Sequence, residues 1–324
     1  MSYLYELNEL MTSCSPLFIS EQAHQRIVSE YIRTLSGITK PETSSFFFFD
    51  DIPTYEEQTK DALKRIQSSF KQGTSTPNLT VDYSLDNLPL LSIAYHRVFG
   101  TIFADAVYSF SSKAMERNLL AAEENKSISA HFIHINSGGG EAWYLDRLSE
   151  RLKNCKKPIY VFIEKYCCSA AFYIGSHGNI ISCLTPNDTI GCIGTMISFW
   201  DAIPYFEKIG FNFIEEYALQ SDLKNKKYNN LRKGKPQQFI EEELNPLAVQ
   251  FIETVRSNRK SLASLPDDSP ILRGETFDGV RSVENGLIDS IVTFEYALSE
   301  TYDMAKRYSE QQNFKHRISN VINL

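Results

Sequence analysis

The segment ISAHFIHINSGGG, at residues 128–140, gives the clearest indication of the fold. Its first eight residues are mostly apolar, and a short apolar run of this kind is typical of a strand buried inside a parallel sheet. The three consecutive glycines that follow leave backbone N–H groups uncovered, because glycine has no side chain. Ligands of open α/β sheets bind where strands end. The segment therefore predicts either an oxyanion hole or phosphate cradle, or simply a tight turn into the next helix.

Strand and helix patterns alternate on both sides of this segment. The expected elements are a strand at residues 90–97, a helix at 111–124, a strand at 128–135, a helix at 141–154, a strand at 158–163, a helix from Ser169 to about His177 and a strand at 179–183. This order predicts an α/β fold with a mainly parallel sheet and crossover helices. Farther on, we expect a long helix at 236–258, bent at Pro246, and a late strand near 287–293.

The first 85 residues differ in composition from the rest of the chain. Residues 20–37 and 54–71 have helical patterns, four phenylalanines stand at 46–49, and residues 71–84 are rich in turn formers. We therefore predict three parts: a mostly helical N-terminal extension and linker over 1–85, the α/β domain over 86–295 and a helical tail over 296–324.

The overall composition is that of a globular protein. Of the 324 residues 42% are hydrophobic and 23% are charged, which excludes a mainly disordered or fibrous chain. The net charge of -7 argues against nucleic acid as the main partner. The most apolar long stretch, residues 91–110, contains His96, Arg97 and Asp105 and is too polar for a membrane-spanning helix. The sequence predicts a protein with no membrane span.

The six cysteines predict reduced thiols rather than disulfides or zinc ligands. None forms a C-x-x-C pair, and the chain is too long to be a disulfide scaffold. His131 and His134 are three apart in an expected strand, so they face opposite sides and cannot share a metal. We expect a reducing cytoplasmic compartment, no metal and no cofactor.

Two further segments could carry chemistry. In KYCCSAAFYIG, residues 165–175, Ser169 stands between an expected strand and a helix, where it is either a functional hydroxyl or an ordinary helix cap. In DTIGCIGTM, residues 188–196, Gly191 and Gly194 indicate either a close backbone approach or a bulge. Each of the three segments is a weak indication of function by itself. Their order along the chain is the stronger indication.

That order resembles the signal peptide peptidase A family of serine proteases, within the wider Clp/crotonase fold. The matching motifs are Asn136-Ser137-Gly138-Gly139-Gly140, then Ser169-Ala170-Ala171-Phe172-Tyr173, then Gly191-Cys192-Ile193-Gly194, and finally GETFDGVRSVENGLID at residues 274–289. The resemblance spans about residues 89–293. Within this family, the sequence most resembles the phage and prophage head-maturation proteases, which are soluble proteins.

The resemblance implies a role for several residues. Ser169 matches the nucleophile, and Gly139 and Ala170 match the oxyanion-hole donors. Lys224, which follows an expected strand ending near Tyr217, matches the general base. Lys226 and Lys227 are the alternatives for the base, because the spacing is about two residues longer than usual. They belong to KNKKYNNLRKGK, residues 224–235, a basic run that would otherwise be a solvated loop. A lysine can act as a base when burial lowers its pKa toward neutrality.

The chain departs from the family pattern at two positions. Gly138 replaces a proline in the glycine-rich motif. Cys192 replaces a serine that helps to orient the lysine, and a thiol is the weaker hydrogen-bonding group. A Clp-type histidine is not expected, because the position about 25 residues after Ser169 falls at 194–196, which holds none.

The resemblance thus implies a serine endopeptidase with a Ser-Lys dyad, assembled as a homo-oligomeric ring and acting on polypeptides. Its setting would be phage or prophage capsid or scaffold maturation in a bacterial cytoplasm or a phage prohead. The alternatives are a cytoplasmic signal-peptide-peptidase-like bacterial peptidase, or a catalytically idle scaffold that binds a partner or nucleic acid through residues 224–235. An acyl-CoA enzyme of the crotonase type is disfavoured, because no acid/base carboxylates are evident.

Overall fold

A computed structural model describes residues 3–12, 16–35, 53–70 and 77–322 of the chain. The strands in these residues are β1 (Leu17–Ile19), β2 (Leu79–Thr80), β3 (Ser92–Phe103), β4 (Phe110–Ser111), β5 (Ile128–Glu141), β6 (Ile159–Cys168), β7 (Ile180–Cys183), β8 (Thr189–Gly191), β9 (Thr276–Phe277) and β10 (Ser290–Ile291). They form one sheet with the central order β10-β7-β6-β5-β3-β2, in which every neighbouring pair is parallel. The mainly parallel α/β architecture expected from the sequence is confirmed.

Helices cover both faces of this sheet. They are α1 (Tyr3–Thr12), α2 (Glu21–Leu35), α3 (Tyr55–Ser69), α4 (Ser112–Glu124), α5 (Leu145–Lys153), α6 (Ala170–Gly175), α7 (Ile203–Lys208), α8 (Lys226–Arg232), α9 (Gln237–Phe239), α10 (Asn245–Asn258), α11 (Gly279–Glu284) and α12 (Phe294–Ile322). The helix expected at 236–258 is divided: a π-helical turn, Ile240–Leu244, separates α9 from α10, and Pro246 lies in the first turn of α10.

Alternating side chains of the central strands divide the core into two layers. Phe132 of β5 and Phe162 of β6 point toward α3 and α12, where they pack with Leu63 and Leu298. The intervening residues of the same strands point the other way, toward α4, α5, α6 and α10. This two-sided burial explains why the strands have almost continuous apolar sequences.

The glycine-rich segment is a strand rather than the expected turn. β5 continues through it to Glu141, and α5 begins only at Leu145 instead of near residue 141. Gly140 lies opposite Ile102 of β3, and a Cβ atom on Gly140 would come within 2.0 Å of the Ile102 carbonyl oxygen. The glycine therefore permits two strands to approach closely where a larger residue would separate them.

The N-terminal residues also contribute to the sheet. β1 pairs antiparallel with the end of β5, and β2, in the expected linker, pairs parallel with β3. The four phenylalanines at 46–49 lie outside the described residues. The division at residues 85 and 295 stays a prediction.

The strand expected to end near Tyr217 is not formed. Residues 211–218 have neither helical nor strand structure, and Phe211, Phe213 and Ile214 are exposed. A strand is held by hydrogen bonds to a neighbouring strand, and the described part of the chain places none beside this segment.

Candidate active site

Ser169 occupies a sharp turn between β6 and α6. Its side chain is fully buried, and its backbone angles are φ 58° and ψ -121°, a conformation that costs a non-glycine residue about 1–3 kcal/mol. Two hydrogen bonds hold this conformation: the Ser169 amide donates to the Gly191 carbonyl (2.8 Å), and the Ser169 carbonyl accepts from the Tyr173 amide (2.9 Å). A strained strand-to-helix turn of this kind is a known way to present a nucleophile.

The three sequence segments converge on this turn. β6 lies between β5 and β8, with Cys167 opposite Ser137 and Cys168 opposite Gly191. Ser169 follows directly, so the glycine-rich end of β5 and the start of the 191–194 segment flank it on either side. The parallel sheet, rather than any local sequence feature, brings these residues together.

Gly139 and Ala170, the expected oxyanion donors, lie on two of these segments. Gly139 has φ +105°, and its amide donates to the Ser137 hydroxyl (3.1 Å). The same hydroxyl donates to the Gly100 carbonyl (2.5 Å) and so fixes the glycine-rich backbone. Ala170 is the first residue of α6, where the backbone N–H has no acceptor within the helix.

The Ser169 hydroxyl is buried among the described residues without a regular hydrogen-bond partner. The Cys192 thiol is the polar group that it faces. Burial raises the pKa of this thiol to about 11, and the Ser169 hydroxyl partly offsets the rise. The thiol is therefore protonated at neutral pH and does not activate the serine as a base.

Lys224 does not meet Ser169 in this structure. It lies in an exposed turn after the short 3-10 helix Leu219–Ser221, whereas Ser169 is fully buried. Among the described residues, the Lys224 ammonium group has no hydrogen-bond or ion-pair partner. It is thus free to move to another position.

The two alternative lysines differ in their surroundings. Lys226 is exposed at the start of α8. Lys227 forms ion pairs with Glu242 (3.2 Å) and Glu243, and these carboxylates raise its pKa. A raised pKa keeps the amine protonated, which is unfavourable for a general base. Lys224 is consequently a better candidate for the base than Lys227.

The chain is similar to known proteins over much of its length. The model of peptidase family S49 matches residues 151–307, a range that includes Ser169 and Lys224 but begins after Gly139. The chain carries a peptidase family S49 domain. A candidate signal peptide peptidase SppA of Enterococcus faecium is 22% identical over 251 residues, which cover 75% of this chain and 71% of that protein. Together these matches support a serine peptidase of the signal peptide peptidase A family.

Two further matches differ in extent. Protease 4 of Haemophilus influenzae is 24% identical over 246 residues, covering 72% of this chain but only 37% of the relative, so the chain spans well under half of that protein. A solved structure of the 1510-N membrane-bound stomatin-specific protease, a lysine-to-alanine mutant in complex with a substrate peptide, is similar to 66% of this chain with 14% identity and a TM-score of 0.39. That chain is covered to 81%.

None of the helices in the described residues is both long and apolar enough to cross a bilayer.

Four histidines, His96, His131, His134 and His177, have structural partners away from Ser169. His177 lies just after α6 and contacts the Ser149 hydroxyl (2.9 Å), and burial lowers its pKa to about 4. His131 contacts His96 (3.0 Å), whereas His134, on the opposite face of β5, contacts Tyr95 (2.9 Å). The opposite orientation of the two β5 histidines follows from their odd spacing, as expected.

One group of potential metal ligands was missed by sequence reasoning. Glu123, His131 and Cys155 offer ligand atoms within 4.8 Å of one another. However, the Glu123 carboxylate already accepts hydrogen bonds from His131 and from the Lys156 amide, and burial raises the pKa of the Cys155 thiol to about 12. These contacts explain the cluster as a structural hydrogen-bond network in which the thiol stays protonated.

One large cavity is separate from the Ser169 turn. It has a volume of about 900 Å³ and lies near the C-terminal end of α6, beside Ser176, His177 and Arg259. A smaller cavity of about 170 Å³ touches the glycine-rich segment and is lined by Gly138, Gly139 and residues of α2. The smaller cavity therefore adjoins Gly139, the expected oxyanion-hole residue.

Proposed function

We propose that this chain is a serine endopeptidase with a Ser169–Lys224 dyad. The Ser169 oxygen attacks a peptide carbonyl carbon while the neutral Lys224 amine takes its proton. The backbone N–H groups of Gly139 and Ala170 hold the negative charge on the carbonyl oxygen. The C–N bond then breaks, Lys224 returns the proton to the leaving amine, and water hydrolyses the acyl-enzyme in a second round.

The observation that carries this proposal is the buried, strained turn at Ser169. The hydroxyl lies between the glycine-rich end of β5 and the 191–194 segment, beside the first amide of α6. A structural helix cap would use its side chain to accept a backbone N–H bond, which Ser169 does not do.

Lys224 reaches Ser169 in this proposal when the segment from 197 to 235 closes over the site. The segment presents a set of large exposed apolar side chains: Trp200, Tyr205, Phe206, Ile209, Phe211, Phe213, Ile214, Leu219 and Leu223. Ile214 is 80% and Leu219 98% exposed, values that are unusual for such residues in a patch of this size. A second copy of the chain, arranged in a ring, would cover these side chains and support the unformed strand near Tyr217.

Closure would also supply the chemistry that the lysine needs. A free lysine has a pKa of about 10.4 and is protonated at pH 7. Burial would have to lower this value to about 7–8, a change of about 4 kcal/mol, which a desolvated pocket can provide. The Ser169 surroundings are dry enough for this, since Ala170, Ala171 and Phe172 are all fully buried.

The proposal is tested by incubating the purified chain with an unfolded protein substrate beside Ser169→Ala, Lys224→Ala and the matched control Lys226→Ala. We expect cleavage to fall by at least 1000-fold in the first two variants and to stay within about twofold in the control. If Lys226→Ala loses cleavage of the substrate and Lys224→Ala retains it, the general base is Lys226. Equal cleavage by all four proteins would overturn the mechanism.

The substrate class in this proposal is an extended polypeptide, and the setting is capsid or scaffold maturation of a phage or prophage in a bacterial cytoplasm. The SAAFY segment and the residues before the protease domain support this setting, and the free thiols of Cys155, Cys167, Cys168, Cys183 and Cys192 support a reducing compartment. Mass spectrometry of capsid and scaffold proteins co-expressed with the wild type and with Ser169→Ala tests it, since specific cleavage should appear only with the wild type.

A further inference from the structure

β1 lies across the site in the manner of a bound peptide. Leu17, Phe18 and Ile19 run antiparallel to Glu141, Gly140 and Gly139. On its other side, Leu17 exchanges two backbone hydrogen bonds with Met196, of 2.8 and 3.0 Å. The strand is therefore held between the glycine-rich segment and the segment that follows Gly194, the two segments that flank Ser169.

The side chains of β1 alternate between two environments. Phe18 points into the core of the protease domain, where its ring lies 4.8 Å from Phe251 and 5.9 Å from Tyr173, on the helix that follows Ser169. Leu17 and Ile19 point away from it into a separate cluster with α1 and α2. Peptides that add a strand to a sheet bind in this way, with the backbone giving affinity and alternate side chains filling pockets.

The end of β1 lies beside the residues of the proposed active site. The Ile19 carbonyl oxygen lies 3.9 Å from the Cys192 sulfur, and the same thiol faces the Ser169 hydroxyl. Ile19 is also the residue paired with Gly139, the expected oxyanion donor. The next residue, Ser20, donates its amide to the Gly138 carbonyl (2.7 Å).

Beyond Ser20 the path continues over the surface. α2 begins there and packs on the glycine-rich segment so closely that a Cβ atom on Gly138 would come within 2.2 Å of the Ala23 side chain. The 170 Å³ cavity lies between α2 and this segment, with Arg26 and Tyr166 in its wall. The whole stretch from β1 to α2 thus covers the groove and contributes to the complete burial of this region.

We propose that residues 16–20 occupy the peptide-binding groove as an internal pseudosubstrate, and that the opened groove binds extended peptides with a large apolar side chain at the position of Phe18. The inference rests on the proposed protease function. It adds the specificity of the groove, set by Tyr173 and Phe251, and a latent state that ends when the strand leaves.

A reversible crosslink tests the covering strand. Leu17 and Met196 form a hydrogen-bonded antiparallel pair, in which Cα atoms lie about 5.5 Å apart, a separation that suits a disulfide. Leu17→Cys with Met196→Cys, in a Cys14→Ser background, should crosslink on mild oxidation. We expect a fluorophosphonate probe to label Ser169 at least 10-fold more slowly in the oxidised than in the reduced protein, and Leu17→Cys alone to show no redox effect. Equal labelling of the confirmed crosslinked and reduced forms would overturn the proposal.

A second pair of variants tests the Phe18 pocket. Phe18→Ala should raise the rate at which the fluorophosphonate probe labels Ser169. It should also cleave peptides with phenylalanine at the matching position faster than peptides with aspartate there. The matched control is Val28→Ala, which alters the N-terminal cluster outside the groove. An unchanged rate and no preference in Phe18→Ala would contradict the inference.

Hydrogen exchange separates failure of this inference from failure of the protease function. If Ser169 is unreactive in every form, the protease function fails. The groove is then examined in Phe18→Ala by adding the synthetic peptide Pro-Leu-Phe-Ile-Ser, the sequence of residues 16–20. Restored amide protection at Gly140 and Met196 supports strand binding, and no restoration overturns it.

Discussion

At the scale of single residues, Cys192 is a position where the sequence departs from the motif that it resembles, which has a serine there. Its thiol faces the Ser169 hydroxyl, and burial raises the pKa of the thiol to about 11. A thiol hydrogen-bonds weakly, so it holds neither the serine nor an approaching lysine firmly. The sequence indicated this substitution directly, but it could not indicate that the thiol would also face the Ile19 carbonyl.

Cys192→Ser should raise kcat by about 2- to 10-fold, because a hydroxyl forms a hydrogen bond stronger by about 0.5–1.5 kcal/mol. Initial rates with a saturating peptide in reducing buffer measure the change. Cys155→Ser, which alters a thiol far from the turn, serves as the control. A fall in kcat for Cys192→Ser would show that the thiol itself assists the reaction.

His177 makes the stability of the fold depend on pH. Burial lowers its pKa from 6.5 to about 4, while the Tyr173 and Ile174 carbonyls partly oppose the change. The unfolded chain therefore binds this proton more readily than the folded chain, and stability is complete above pH 6.5 and falls as the pH drops toward 4. The difference amounts to about 3 kcal/mol.

Urea unfolding at pH 7 and pH 4.5 measures this effect. Wild type should lose more unfolding free energy between the two values than His177→Gln, which cannot titrate there. The other buried histidines are present in both proteins, so the difference between the proteins isolates His177. Identical losses in both would exclude His177 as a source of acid sensitivity.

At the scale of elements, the strand and helix order was predictable because burial on both faces gives β5 and β6 long apolar sequences. The behaviour of the three glycines was not predictable in the same way. Whether a glycine ends a strand or lets another strand approach depends on the partner, and the partners Ile102 and Phe18 are far away in sequence. β1 itself, with three residues, is too short to give a periodic signal.

Gly140→Ala should lower the free energy of unfolding by about 2 kcal/mol or more, since its methyl group would meet the Ile102 carbonyl at 2.0 Å. Gly194→Ala is the matched control, because the nearest atom to its new methyl group would be 3.7 Å away and its backbone angle is ordinary. Its unfolding free energy should change by less than about 0.5 kcal/mol. Chemical denaturation compares the two, and equal stabilities would contradict the close-approach explanation.

At the scale of the whole molecule, the segment from 197 to 235 stands out because many of its large apolar side chains are exposed. Sequence reasoning placed a strand near Tyr217 and a base at Lys224, and the described residues assemble neither. The physical reason is shared: a strand needs a neighbouring strand and a lysine base needs burial, and the described part of the chain supplies neither here. Patterns within one sequence do not distinguish contacts inside a chain from contacts between chains.

Ile214→Asp should therefore reduce both the molecular mass in solution and the proteolytic activity, since it places a charge in the proposed contact between copies. Leu90→Asp is the control, because Leu90 is equally exposed, at 80%, but lies outside the segment. Light scattering after gel filtration gives the mass. If the mass in solution and the activity of Ile214→Asp are both unchanged, this segment is not part of a contact between copies.

The pairing of β1 with β5 has a consequence for handling the protein. When residues 16–20 leave, the Gly138 carbonyl, the Ala142 amide and the backbone of Met196 lose their partners and form an open sheet edge. Open edges attract strands from other molecules and promote aggregation. Preparations in which the N-terminal segment has been clipped or trimmed should therefore precipitate sooner on storage, and a short peptide that fills the edge should keep them in solution.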